Sequence, residues 1–235
     1  MSIDPMLHYR TKGNPHHPSL LFLHGFLGSG ADWTDIAARF ENRYFCIQPD
    51  LPGHGKSLLA LTDRNYGFAG VCRRINEILD ELNVAKTALV GYSMGGRIAL
   101  ACALEHADRF SALILAGANP GLNDAEERAR RKTWEREIIA EILRDDFAAF
   151  IDEWYNLPVF QSLLTNPKLL FKLKEMRRKN HPRSIAYAME KAGLAEQTDF
   201  WLRLSEITMP VLFIAGEMDR KYRSLGVEMA RQMPN

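Results

Sequence analysis

The sequence predicts an α/β fold: a mostly parallel sheet with helices on both faces, interrupted once by a helical cap insertion. Three observations carry this expectation. Short apolar runs alternate with helix-period segments as far as Gly117, and continuous apolar runs mark strands buried on both faces. One such run, ending at Val90, passes through Gly91-Tyr92-Ser93-Met94-Gly95 directly into a helical pattern. From Asn123 to about Phe200 the strand signal disappears, and it returns only at Pro210. The expected organisation is a core of residues 1–122 and 201–235 with a cap of residues 123–200. With 46% apolar and 25% charged residues in a chain of 235, the balance is globular and the length supports a sizeable core.

Taken in order, Leu7 to Arg10 reads as a short edge strand. It is closed by Gly13-Asn14-Pro15-His16-His17-Pro18, a run that regular structure does not tolerate. Leu20 to Leu23 is a buried strand ending in the glycine-rich His24-Gly25-Phe26-Leu27-Gly28, and Asp32 to Phe40 is a helix. Tyr44 to Ile47 leads into Asp50-Leu51-Pro52-Gly53-His54-Gly55-Lys56-Ser57, a tight loop that Asp50 and His54 are expected to hold by hydrogen bonds. Val71, Ile75, Ile78, Leu79 and Leu82 give 68–82 the stripe of an amphipathic helix. Thr87 to Val90 is a strand, Arg97 to Glu105 a helix, and Ala112 to Ala116 another buried strand. Within the insertion, helices are expected over 126–143, 147–155, 169–179 and 184–191, the breaks falling near Pro158, Pro182 and Gly193. Pro210 to Ala215 reads as a strand and Leu225 to Met233 as a helix.

Gly-x-Ser-x-Gly between a strand and a helix is a nucleophile elbow, which holds Ser93 up as an exposed hydroxyl. Gly91 and Gly95 flank it because a Cβ there would collide with the neighbouring strand or helix. The glycine-rich loop after Leu23 leaves backbone N–H groups free to face a cleft, so the N–H groups of Phe26 and Met94 are the candidate oxyanion hole. Downstream, Gly216-Glu217-Met218-Asp219 follows the last strand, and Asp219, further into the loop than Glu217, is the candidate triad acid. The imidazole is missing: all seven histidines precede Asp219. The expectation is that the polypeptide continues past Asn235 through a further strand and helix and carries that histidine there.

The arginines point to the ligand. Arg97 opens the helix after the elbow, Arg128 and Arg131 are three residues apart on the first cap helix, and Arg177 and Arg178 end the third. Guanidinium groups pair with carboxylates bidentately, so several converging on one pocket suit a small polycarboxylate substrate. For Arg128 and Arg178 a solvated helix face is an equal reading. A net charge of +1 gives no nucleic-acid footprint. No metal-ligand spacing appears, and no cofactor is expected. Cys46, Cys72 and Cys102, odd in number and widely spaced, read as reduced core thiols of a cytoplasmic protein. No run approaches the ~18 apolar residues of a membrane span, and residues 1–18 lack the apolar segment of an export signal.

Over its whole length the chain resembles the α/β hydrolases. Beside Asp50-Leu51-Pro52-Gly53-His54-Gly55 and the elbow it carries more specific features: Asn119-Pro120-Gly121-Leu122 followed by Ala125-Glu126, Arg128 and Arg131; Asp152-Glu153-Trp154-Tyr155 with Pro158-Val159-Phe160; and Gly216-Glu217 with Asp219 and Lys221. These resemble the 2-succinyl-6-hydroxy-2,4-cyclohexadiene-1-carboxylate (SHCHC) synthase family. The resemblance implies a carbon–oxygen lyase of menaquinone or phylloquinone biosynthesis that eliminates pyruvate from SEPHCHC, with Ser93 acting as a base. By matching positions it implies Arg97, Arg131 and Arg177 as carboxylate ligands, Tyr92 and Trp154 lining the pocket, and Lys221 beside it. Two other readings stay open: a serine hydrolase cutting an ester or C–C bond, and a non-catalytic binding protein that needs no histidine.

Overall fold

A computed structural model describes residues 7–58, 67–144 and 146–234; residues 1–6, part of the stretch read for an export signal, lie outside the described residues. The elements are β1 (Tyr9–Lys12), β2 (Ser19–Leu23), α1 (Thr34–Phe40), β3 (Phe45–Pro49), α2 (Phe68–Glu81), β4 (Thr87–Tyr92), α3 (Met94–Glu105) and β5 (Phe110–Ala116). They continue with α4 (Ala125–Ile142), α5 (Phe147–Trp154), α6 (Pro167–Arg177), α7 (Pro182–Ala192), β6 (Val211–Ile214) and α8 (Arg220–Gln232).

The strands form one six-stranded sheet in the order β1-β3-β2-β4-β5-β6. β1 alone runs antiparallel, pairing Tyr9 with Pro49. Leu21, Leu89 and Leu113 sit in register across the three central strands and are fully buried, as expected of strands covered by helices on both faces. In such a sheet, loops at the carboxyl ends of the strands form the ligand crevice. The turns after β2, β4 and β6 all open there.

Several boundaries differ from the expected ones for local reasons. The helix expected from Asp32 begins instead as a 3-10 turn, Gly30–Trp33, held by a reciprocal capping box between Ser29 and Asp32. α3 starts at Met94 rather than Arg97, because the sharp turn is completed within Ser93 itself. Pro158–Thr165 and Trp201–Glu206 form 3-10 helices, whose i to i+3 bonding leaves no amphipathic signature to read. The expectation of reduced thiols is corrected: Cys72 of α2 and Cys102 of α3 are joined as a disulfide, while Cys46 is free and buried. Spacing along the chain carried no sign of this pairing, because only α2 packing on α3 brings the two Cα atoms to 5.2 Å. No described helix is long and apolar enough to cross a membrane.

The loop after β3 is held as its composition implies. Asp50, fully buried, accepts from Gly30 N–H at 2.8 Å and Lys56 N–H at 2.9 Å, and contacts His8 at 2.9 Å and Arg10 at 3.3 Å. Burial works to raise its pKa, but those N–H groups and the Arg10 cation outweigh it and hold the carboxyl below its usual range. Leu51 N–H donates to His24 Nε2 at 2.8 Å, so the ring proton lies on Nδ1 and is given to Gly25 O. His54 donates from Nδ1 to Pro52 O in the same way.

Burial pushes the pKa of His24 down to about 4 and, with His24 beside it, that of His54 to about 3. Both are neutral in the folded state and titrate near 6.5 when unfolded. Stability contributed by their neutral forms is therefore complete above about pH 6.5 and lost as pH falls toward 4, with a limiting slope of roughly 1.4 kcal/mol per pH unit for each histidine. Urea midpoints measured from pH 7 to 5 should fall accordingly, and less steeply in His54→Asn. A flat profile would contradict the buried, neutral assignment.

Candidate active site

Ser93 is strained. Its φ of +51° and ψ of −111° lie where non-glycine residues are rare. The backbone is held there from both sides: Ser93 N–H donates to Ala116 O of β5 at 2.9 Å, and Arg97 N–H returns to Ser93 O at 3.1 Å. A Cβ on Gly95 would be driven into the Leu23 carbonyl oxygen of β2, and one on Gly91 into the Gly95 and Gly96 backbone of α3. The Gly-x-Ser-x-Gly pattern is thus a packing requirement of helix against strands. Met94 is the first residue of α3, so its N–H has no acceptor within the helix.

Ser93 lines a cavity of about 110 Å³ together with Phe26 and Met94, with Arg97 of α3, Arg131 and Glu135 of α4, and Trp154 of α5. Residues 189 and 192–194 and Tyr222 of α8 close it. Arg131 donates from Nε to Glu135 Oε1 at 2.8 Å and lies 4.3 Å over the Trp134 ring. Glu135 is buried and also accepts from Leu194 N–H at 2.7 Å and Ala195 N–H at 3.2 Å, which fixes the guanidinium through it. Arg97 donates from one terminal nitrogen to Ala192 O at 3.1 Å and Gln197 Oε1 at 3.3 Å. Trp154 packs against Phe26 with ring centroids 5.4 Å apart. Burial raises the Tyr222 phenol; Arg97 and Arg131 pull it down, Asp219 adds to the rise, and the net shift is upward.

Asp219 caps α8 at the same edge of the sheet, accepting from Tyr222 N–H at 3.0 Å. Among the sequence candidates, Ser93, Phe26, Met94, Arg97, Arg131 and Trp154 share one cavity. The structure places the others elsewhere. Tyr92 is half-exposed beside Gly25. Lys221 is 61% exposed and lies 3.7 Å from Glu127.

Arg177 is buried in a separate cluster, donating to both Asp32 oxygens at 2.8 and 2.9 Å and to Tyr155 Oη at 3.2 Å. Burial alone would lower its pKa, but Asp32 and Tyr155 outweigh that and raise it, so it is a fixed cation. Arg128 holds the carbonyls of Leu122, Ala195 and Gln197, and Arg178 pairs with Asp152 and Glu175, so neither is a simple solvated face.

Six lining residues were not anticipated, two of them with polar side chains, Glu135 and Tyr222. Glu135 lies one helical turn from Arg131, a spacing that could have marked it. Tyr222 carries no comparable signal. No group of three or more His, Cys, Asp or Glu among the described residues is arranged to hold a metal ion.

A family model described as the alpha/beta hydrolase fold matches residues 18–229. The SHCHC synthase of Citrobacter koseri is 37% identical over 222 residues, covering 93% of this chain and 84% of that protein. The synthase of Escherichia coli K12 is 35% identical over 226 residues, covering 96% of this chain and 87% of that one. Among solved structures, MenH from S. aureus matches with a TM-score of 0.91 at 31% identity, over 97% of this chain and 86% of that chain. With the elbow and its arginine-bearing cavity, these matches place the chain in the α/β-hydrolase family and, within it, among the SHCHC synthases.

Proposed function

We propose that the protein is a carbon–oxygen lyase that eliminates pyruvate from SEPHCHC, a cyclohexene bearing a succinyl side chain and an enolpyruvyl ether, to form SHCHC. The observation that carries this reading is the cavity around Ser93, where Arg97 and Arg131 stand in a small space. An ester or lipid pocket would be lined by apolar groups, whereas two guanidinium groups beside the Ser93 hydroxyl suit a substrate with several carboxylates. No cofactor enters the reading.

In the proposed reaction Ser93 Oγ takes a ring proton α to a carbonyl. The C–H electron pair moves onto the carbonyl oxygen as an enolate, which the N–H groups of Phe26 and Met94 stabilise by about 3 kcal/mol per donor. Collapse of the extended enolate forms a second ring double bond and breaks the C–O bond to enolpyruvate. A proton taken up at its methylene carbon completes pyruvate. Asp219 is the proposed carboxylate behind an imidazole that receives the Ser93 proton. That imidazole is required by the reading, and none of the described histidines hydrogen-bonds Ser93; His24 is held by Gly25 O and Leu51 N–H, and His54 by Pro52 O. Tyr92 and Lys221 remain proposed ligands around the cavity by matching position, whereas Arg177 is engaged by Asp32 and Tyr155.

Pockets that enclose small ligands usually measure roughly 300 Å³ or more. At about 110 Å³ the cavity around Ser93 is smaller than that and encloses only part of such a substrate. The reading places the enzyme in the cytoplasm. The decisive measurement is pyruvate released from SEPHCHC by the full-length protein. Absence of pyruvate together with an acyl-enzyme burst from an activated ester would transfer the assignment to a hydrolase.

A further inference from the structure

The turn that carries Phe26 is closed by Gly28 N–H donating to Gly25 O at 3.0 Å. Its third residue, Leu27, has φ +64°. A type II turn needs a positive φ at that position and normally finds glycine there. Leucine adopts it only when its surroundings impose it.

Those surroundings belong to the helices. The Leu27 side chain is buried in an apolar cluster with Ile142 of α4, Phe150 and Ile151 of α5 and Ile185 of α7. Its carbonyl is taken by Asn180, which follows α6: Asn180 Nδ2 donates to Leu27 O at 2.8 Å. The amide's other end is used as well, because Gly55 N–H, in the loop after β3, donates to Asn180 Oδ1 at 3.0 Å. Asn180 is itself buried, and its N–H returns to Arg177 O at 3.0 Å. Arg177 in turn grips Asp32 just beyond the turn. One short segment of the helical block thus clamps both core loops beside Ser93. The Phe26 ring is held between the second of these loops and α5, 5.7 Å edge-on from His54 and 5.4 Å from Trp154.

We propose that Asn180 is a positioning residue for the oxyanion hole: by holding the Leu27 carbonyl it keeps the turn in its left-handed form, so that Phe26 N–H is aimed only while the helical block is seated. Without that bond Leu27 relaxes to negative φ, the Phe26–Leu27 peptide rotates, and the loop bearing Phe26 N–H shifts with it. Ground-state binding by Arg97 and Arg131 is untouched, whereas the donor to the developing oxyanion is misaligned and weakened. The inference rests on the oxyanion role proposed above for Phe26.

Asn180→Ala and Asn180→Asp in the full-length protein test it. Asn180→Asp retains the acceptor for Gly55 N–H but loses the donor to Leu27 O. Both variants should lower kcat for pyruvate release on the order of 10-fold, with KM changed less than about 2-fold, since complete loss of an oxyanion donor costs about 100-fold or more. In Asn180→Asp the protonated carboxyl can donate again, so its kcat relative to wild type should rise as pH falls. Amide exchange across residues 25–28 should accelerate in both variants whether or not turnover is seen. Unchanged kcat in either variant of an active enzyme, or exchange across 25–28 equal to wild type, would overturn the proposal. An inactive wild type whose loop exchange still responds to Asn180 would instead count against the lyase assignment.

Discussion

Ser93→Ala should reduce pyruvate release by about 1,000-fold or more while leaving the melting temperature close to wild type. Removing a nucleophile or base that acts as one unit with its partners forfeits most of their joint contribution, and each factor of ten corresponds to about 1.4 kcal/mol of barrier. Fold stability is spared because the features holding the elbow are backbone bonds, Ser93 N–H to Ala116 O and Arg97 N–H to Ser93 O, which alanine keeps. Ser93→Gly sharpens the point. It relieves the positive φ of +51°, worth on the order of 1–3 kcal/mol, so it should lose the same activity yet be at least as stable as Ser93→Ala. Residual activity within tenfold of wild type in either variant would remove Ser93 from the chemistry.

The second large effect separates two arginines that the sequence treats alike. Arg131→Ala should raise KM for SEPHCHC roughly 10- to 100-fold, since a hydrogen bond to a charged group contributes about 1.5–3 kcal/mol. The protein should remain folded, because Glu135 keeps its bonds from Leu194 and Ala195. Arg177→Ala should be felt first in stability. It takes the cation from the partly buried Asp32 carboxylate, which keeps the Ser29 N–H, and the donor from the Tyr155 hydroxyl. Breaking a buried pair from one side costs about 3–5 kcal/mol, or roughly 10 °C in melting temperature for a chain of this size. Denaturation and steady-state kinetics on both variants decide the division. Equal melting temperatures with equal rises in KM would return Arg177 to the substrate.

The sheet edge that carries Ser93 was legible because its causes are local. Gly91, Ser93 and Gly95 are required by close packing within a few residues, and the glycine-rich run after Leu23 and the acid after β6 follow from where the strands end. The arginines were legible as a set but not in their roles, since a guanidinium on a helix is assigned by what faces it. Asp32, 145 residues away in sequence from Arg177, claims that side chain, while Glu135, one turn from Arg131, orients the other toward the cavity.

By itself the sequence determined the α/β alternation, the elbow, the helical stretch between β5 and β6, and the family. Tertiary structure alone decided the pairing of Cys72 with Cys102, the partners that each arginine meets, and the clamp of Asn180 on Leu27. The physical reason is range. Strand period, helix period and turn chemistry act between neighbours in the chain, whereas a buried charge, a sulfur or an amide takes its role from groups that only folding brings within about 3–4 Å.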